Sequence, residues 1–227
     1  MLSKVFWCCI RQASSQKLNR EKTTVVFSKA TLDVRKLEVI DALGVSEVRE
    51  YEKHLGLLVV VGRNKKASLN FIKERVWNKL QGWKEKLLSQ AGREVLLKAV
   101  VQAIPTLAMG CFTFPSGLLN DIETMIRKFW WGQRGDQRKI HWKNWETLCK
   151  PKALRGMAFK DLEKFNEAML AKQVWRLLVD HSSLFYMVFS AKYFPSGLVF
   201  YAKVASGSYA WQGIVKASKL VQSSLLW

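Results

Sequence analysis

Leu69 to Ala103 read LNFIKERVWNKLQGWKEKLLSQAGREVLLKAVVQA, and the spacing of apolar residues in this stretch decides the fold class. Leu69, Ile72, Val76, Leu80, Trp83, Leu87 and Ala91 recur at steps of three and four, the period of one helical face. The opposite side carries Lys73, Arg75, Lys79, Lys84 and Lys86. Gly82 and Gly92 leave two readings open: one long helix, or a break near Ser89 with that serine capping a second helix to Ala103. Ile104 precedes Pro105, whose ring disfavours the helical region for its neighbour, so the helix ends there.

Outward from this stretch the helical pattern continues. Ala99 to Asn120 has no charge over 22 residues, long enough to span a bilayer. Pro105, Pro115, Gln102, Thr106 and Thr113 make it a poor spanning helix, and it reads as soluble core: a buried helix, a break at Pro105 and a second short helix. The next helix opens at Pro115 and Ser116 and runs through Leu118, Ile122, Met125, Ile126, Phe129 and Trp130 to Gly132. Residues 133–151 are polar and basic and read as an exposed loop holding Trp142 and Trp145. A helix from Asp161 to Leu178 follows, with Leu162, Phe165, Met169, Lys172 and Trp175 in series, then shorter ones over Ser183 to Tyr193 and Ala210 to Val221. The first 60 residues read differently: a short helix to Arg11, a β-branched strand from Thr23 to Ser28, a helix from Val34 to Leu43, and a strand from Leu55 to Val61.

Composition narrows the function classes. Of 227 residues, 49% are apolar and 12% aromatic, enough to build a core and to exclude a wholly disordered chain. Thirty-seven Lys and Arg face 18 Asp and Glu, a net charge of +19 that attracts polyanions such as nucleic acid. Ten of the basic residues fall between Arg63 and Lys98, and no acidic residue occurs from His181 to Trp227. Cys8, Cys9, Cys111 and Cys149 form no metal or disulfide spacing and read as reduced cysteines of an intracellular protein, nuclear or cytoplasmic. The apolar run Val5 to Ile10 is short for a secretion signal, so the chain is expected not to be secreted.

Three runs carry a resemblance: GRNKKASLNFIKERVWNKLQGWKEKLLSQAGREVLLKAVVQAIPTLAMGCF from Gly62, FWWGQRGDQRKIHWKNWETLCKPKALRGMAFKDLEKFNEAMLAKQVWRLL from Phe129, and SAKYFP from Ser190. They resemble the region behind the polymerase core of plant LINE-type non-LTR retrotransposon reverse transcriptases, over roughly residues 10 to 222. By the same comparison ASSQKLNREKT is similar to the motif after the catalytic palm strands, with Asn19 and Lys22 in its polar positions. EKHLGLLVV is similar to the primer-grip hairpin, with Leu55 and Gly56 at its centre. The resemblance implies a mainly α fold, a helical thumb and connection region with a small α/β palm remnant at the N-terminus. Its parts would be 1–62 for the palm remnant, 63–132 for a basic thumb-like helical region and 133–227 for a Trp-rich helical connection.

The chemistry such polymerases need is missing. Nucleotidyl transfer uses two metal ions held by carboxylates. The six aspartates, Asp33, Asp41, Asp121, Asp136, Asp161 and Asp180, are scattered, with no Asp-Asp pair. The resemblance places the metal-binding turn upstream of Met1, so the isolated chain is expected to be non-catalytic, with no metal or cofactor. His141, Cys149 and His181 match no zinc spacing, and no P-loop or dinucleotide fingerprint occurs. The pattern also departs from the family: His54 and Leu58 replace its tyrosine and proline, and Arg155 and Ala158 stand where it has glycines. If those glycines need positive φ, each replacement costs on the order of 1 kcal/mol.

What remains is a basic helical face with aromatics. Arg63, Lys65, Lys66, Lys73, Arg75, Lys79, Lys84, Lys86, Arg93 and Lys98 either line phosphates without sequence preference or form the solvated side of an amphipathic helix. By the resemblance, a thumb would use them on an RNA or RNA/DNA duplex. Trp77, Trp83, Trp130 and Trp175 fall on apolar stripes and are expected in the core, whereas Trp131, Trp142 and Trp145 lie among Arg134, Arg138, Lys139 and Lys143 and are candidates for stacking on bases. The functional expectation is a fragment with low-specificity nucleic-acid binding. The alternatives are a helical interaction module that associates with a partner or itself through orphaned apolar surface, or a relic without selected function. No membrane role is expected.

Overall fold

The computed structural model describes residues 24–25, 27, 31–44, 46–47, 53–54, 57–58, 64–84, 88–132, 139–195, 198–202 and 207–225. The chain divides into two compact units, Met1–Val60 and Val61–Trp227. Its architecture is mainly α.

The first unit holds β1 (Thr24–Val25), α1 (Asp33–Leu43), β2 (Ser46–Glu47), β3 (Lys53–His54) and β4 (Leu57–Leu58). The crossover through α1 lets β1 and β2 run parallel, Thr24 opposite Ser46 and Val25 opposite Glu47. β3 and β4 are antiparallel, Lys53 opposite Leu58 and His54 opposite Leu57. α1 ends where Gly44, at φ 62°, donates its N–H to Ile40 O at 2.8 Å, a left-handed cap that glycine adopts without strain. No residue of α1 is buried, and Leu32 at its N-cap, Val34 and Leu37 are at least 68% exposed. The predicted helix up to Arg11 lies outside the described residues, as do Asn19, Lys22, Leu55 and Gly56.

The second unit is built from α2 (Lys65–Lys84), α3 (Gln90–Leu96), α4 (Thr106–Met109), α5 (Ser116–Trp130), α6 (Trp145–Cys149), α7 (Leu162–Val179), α8 (Leu184–Tyr193) and α9 (Tyr209–Leu225). Of the two readings of the opening stretch, the break is the one realised: Ser89 Oγ accepts the N–H of Gly92 at 3.2 Å and starts α3. α3 continues into a π turn, Leu97–Val101, in which Gln102 N donates to Leu97 O at 2.9 Å. Leu69, Ile72, Val76 and Leu80 of α2 are buried against Leu118, Ile122, Ile126 and Phe129 of α5, with Leu97 and Val101 beside them. The uncharged stretch folds as helix, break and helix within this core, where Ala108, Met109 and Phe114 are buried. Among the described residues no helix is long and apolar enough to cross a membrane.

A second cluster joins α7 to α9 through Leu170, Val174, Leu177, Ile214, Val215 and Val221. At its centre Trp211 is fully buried, stacked on Tyr193 at 4.4 Å and on Phe194 at 5.8 Å. The buried stripe of α7 is Leu162, Asn166, Leu170, Val174 and Leu177, not the series through Phe165, Met169, Lys172 and Trp175. The stripe is rotated because a polar residue occupies a core position. Asn166 Nδ2 donates to Met109 O and Phe112 O, both at 2.9 Å, while its Oδ1 accepts from Phe114 N at 2.8 Å. One amide thus satisfies three backbone groups of the connection from α4 to α5, which no apolar side chain does.

Two tryptophans expected in the core are half open, Trp77 at 46% and Trp175 at 51% exposure, because each lies on the flank of its helix's buried stripe. Between α6 and α7 the chain closes a tight turn chiefly through its backbone: Ala158 N donates to Lys150 O, and Met157 N to Leu148 O, both at 2.9 Å. Arg155 and Ala158 have φ of 60° and 54°, the left-handed region that the replaced glycines would have entered freely. Gly156 permits the close approach, since a Cβ there would lie 1.9 Å from Lys150 O.

Candidate nucleic-acid interface

α2 is amphipathic in the sense its apolar period requires, and its cations divide into two sets. Lys66 and Lys73 lie on the flank toward α5, where Asp121 reaches back to both: its Oδ2 is 2.9 Å from Lys73 Nζ and 3.4 Å from Lys66 Nζ. The hydrogen bond from Lys73 holds the Asp121 carboxyl below the usual carboxylate range, with Lys66 adding to it. This flank borders a shallow groove lined by Asn70, Glu74, Trp77, Thr124 and Met125, in which acidic groups offset the lysines. Arg75, two residues beyond Lys73, points about 160° away around the helix. Arg75 and Lys79 are exposed and make no ion pair or hydrogen bond among the described residues.

The other basic residues are engaged within the fold. Lys65 Nζ sits 4.4 Å over the Tyr209 ring, whose hydroxyl donates to Thr113 O. Arg93 Nη1 donates to Trp130 O at 3.4 Å at the C-terminus of α5, beside Gly132 at φ 67°. A cation here also complements the helix dipole. Lys98 Nζ pairs with Glu94 Oε1 at 2.6 Å, and Lys152 reaches the same oxygen at 3.4 Å. The Lys98 bond holds the Glu94 carboxyl below its ordinary range. Arg63, Lys86 and the side chain of Lys84 lie outside the described residues. Asp121, the carboxylate that neutralises one flank of α2, had no signal in the sequence: Lys73 is 48 positions away.

The three tryptophans proposed for stacking separate sharply. Trp145 is buried and stacked on Phe159 at 5.4 Å, 17° between planes, so it serves the core and is closed to a base. The expected open loop is interrupted here because Asn144 Oδ1 accepts from Thr147 N at 2.8 Å and starts α6. Trp131 is partly buried against Trp130 and the His141 ring, the latter at 5.8 Å and 18°. Trp142 is 77% exposed, with exposed Lys139 and Lys143 close to it in sequence. Burial pushes the Cys149 thiol up to about 12, with Glu123 and Asp161 adding to it, which leaves it no thiolate chemistry near neutral pH. Among the described residues no group of three His, Cys, Asp or Glu is placed to hold a metal.

The chain has curated relatives. No family model matches the chain. It is 35% identical over 126 residues to the "Uncharacterized mitochondrial protein AtMg00310" of Arabidopsis thaliana, covering 55% of this chain and 82% of that protein, and it belongs to that protein's family. Over 135 residues it is 36% identical to the "Putative ribonuclease H protein At1g65750" of Arabidopsis thaliana, covering 60% of this chain. The matched stretch is 22% of that longer protein.

Proposed function

We propose that the chain is a transposon-derived fragment, related to the thumb and connection of LINE-type reverse transcriptases, that binds nucleic acid without sequence preference and performs no nucleotidyl transfer by itself. The observation that carries the binding is the outward pair Arg75 and Lys79 on α2, left without a counter-charge among the described residues while Lys66 and Lys73 share Asp121. Such cations attract phosphates at low salt and release condensed counterions on binding, so affinity falls as salt rises. The similarity to a protein named for ribonuclease H is in keeping with an origin beside nucleic-acid enzymes. The test is fluorescence anisotropy with a labelled RNA/DNA hybrid duplex at about 50 and about 200 mM salt. Affinity should fall steeply with salt, and the Arg75→Ala, Lys79→Ala double variant should bind more weakly with a shallower salt slope. No binding at the lower salt refutes the proposal.

A second reading rests on α8. Its inner residues Phe185, Tyr186 and Phe189 pack on the core, yet Leu184, Met187 and Val188 on its outer side are at least 54% exposed. An apolar stripe on both faces suits a helix covered by a protein partner or a second copy. Sedimentation velocity that shows concentration-dependent association indifferent to added RNA favours this reading.

A further inference from the structure

The segment from His141 to Trp145, which leads into α6, is held at both ends and open between them. At one end the His141 ring stacks on Trp131, which meets Trp130 at 6.4 Å. Trp130 packs edge-on against Phe159 at 5.2 Å, and Phe159 stacks on Trp145, the first residue of α6, at the segment's other end. Asn144 caps α6, and Lys143 Nζ donates to Arg155 O at 3.4 Å. A continuous row of rings therefore fixes residues 141 and 145, and the indole of Trp142 between them projects into solvent at 77% exposure.

A large apolar ring held outward loses little conformational freedom when a flat partner stacks on it, and cations alongside select an anionic partner. Lys139 and Lys143 supply that charge. An unpaired nucleobase offers its π face along the whole strand, whereas inside a duplex both faces are taken by its neighbours. We infer that Trp142 is a stacking platform for an unpaired base of single-stranded RNA or DNA, with Lys139 and Lys143 on the adjoining phosphates. This rests on the nucleic-acid reading above and assigns to a second surface a substrate that the α2 cations do not distinguish.

The experiment compares a labelled single-stranded oligonucleotide of about 12 nucleotides, within the usual site size, with a blunt hybrid duplex, using the full chain in anisotropy titrations. Trp142→Ala should weaken single-strand binding about tenfold or more, as loss of one stacked base does, and leave duplex affinity unchanged. Trp142→Phe should restore most of the loss, and Lys139→Ala with Lys143→Ala should make the single-strand salt slope shallower. Equal single-strand affinity for Trp142→Ala and the parent overturns the platform, while salt-sensitive duplex binding in the same titrations keeps the α2 proposal standing. If the parent binds neither oligonucleotide, both readings fall. If Trp142→Ala instead abolishes binding to vesicles of anionic phospholipid and leaves oligonucleotide binding intact, the loop is a membrane contact and the inference is wrong.

Discussion

Arg155 and Ala158 hold left-handed backbone at φ 60° and 54°, where a Cβ crowds the neighbouring carbonyl. Glycine relieves that crowding and gives back part of the gain by loosening the unfolded chain. Arg155→Gly and Ala158→Gly should each therefore raise stability by about 0.5–1 kcal/mol, read as a shift of the urea midpoint with unchanged slope. Asn166 predicts the reverse. Asn166→Ala strips Met109 O, Phe112 O and Phe114 N of their partner, and with the groups buried the loss should be about 3 kcal/mol or more in the same measurement. The two sites differ in legibility. The missing glycines were legible only through the family resemblance, which sets glycine where this chain has Arg155 and Ala158; the residues themselves do not announce positive φ. Asn166 was not legible, since its bonding partners lie more than 50 residues away and a polar residue inside an apolar stripe looks like a gap in it.

Helices whose apolar residues alone face the core were legible nearly to the residue. Ser116–Trp130 and Leu184–Tyr193 follow from proline, serine and period, whereas at Gln90 the sequence left a capped start and one continuous helix equally open. α7 was legible in extent but not in rotation, and the error carried Trp175 into the core on paper and to 51% exposure in fact. Exposure of Trp145 was misjudged for a related reason: the basic residues around it describe the surface of the loop, while its own ring turns inward to Phe159. The ion pairs that tie elements together were invisible locally, and they set a pH response. Asp121 and Glu94 have carboxyls held below the ordinary range by Lys73 and Lys98, so the folded state takes up their protons later than the unfolded state does. Their contribution is complete above the ordinary carboxylate range, near pH 4, and is lost as pH falls through the depressed folded values. Asp121→Asn should be less stable than the parent at neutral pH, and the difference should shrink as the pH is lowered below the ordinary carboxylate range in thermal unfolding.

Across the whole molecule, burial is unevenly shared. α1 contributes no buried residue to the unit Met1–Val60, whereas α2 and α5 enclose residues of 0–4% exposure in the unit Val61–Trp227. Backbone amides opened by local fluctuation exchange according to the burial that must be undone. Amides of Asp33–Leu43 should therefore exchange with deuterium well before those of Ile72 to Leu80, as mass spectrometry of peptic peptides would show; equal protection contradicts this division. Within the larger unit, the turn from Lys150 to Ala158 is held together by main-chain groups, with Pro151 to Arg155 exposed and Gly156 alone pressed against a carbonyl. A complete catalogue of tolerated substitutions would print this turn as pale columns from 151 to 154, a shaded one at 155 where the backbone is left-handed, and one dark column at 156: a passage free to drift in spelling up to a single letter that the geometry will not let change.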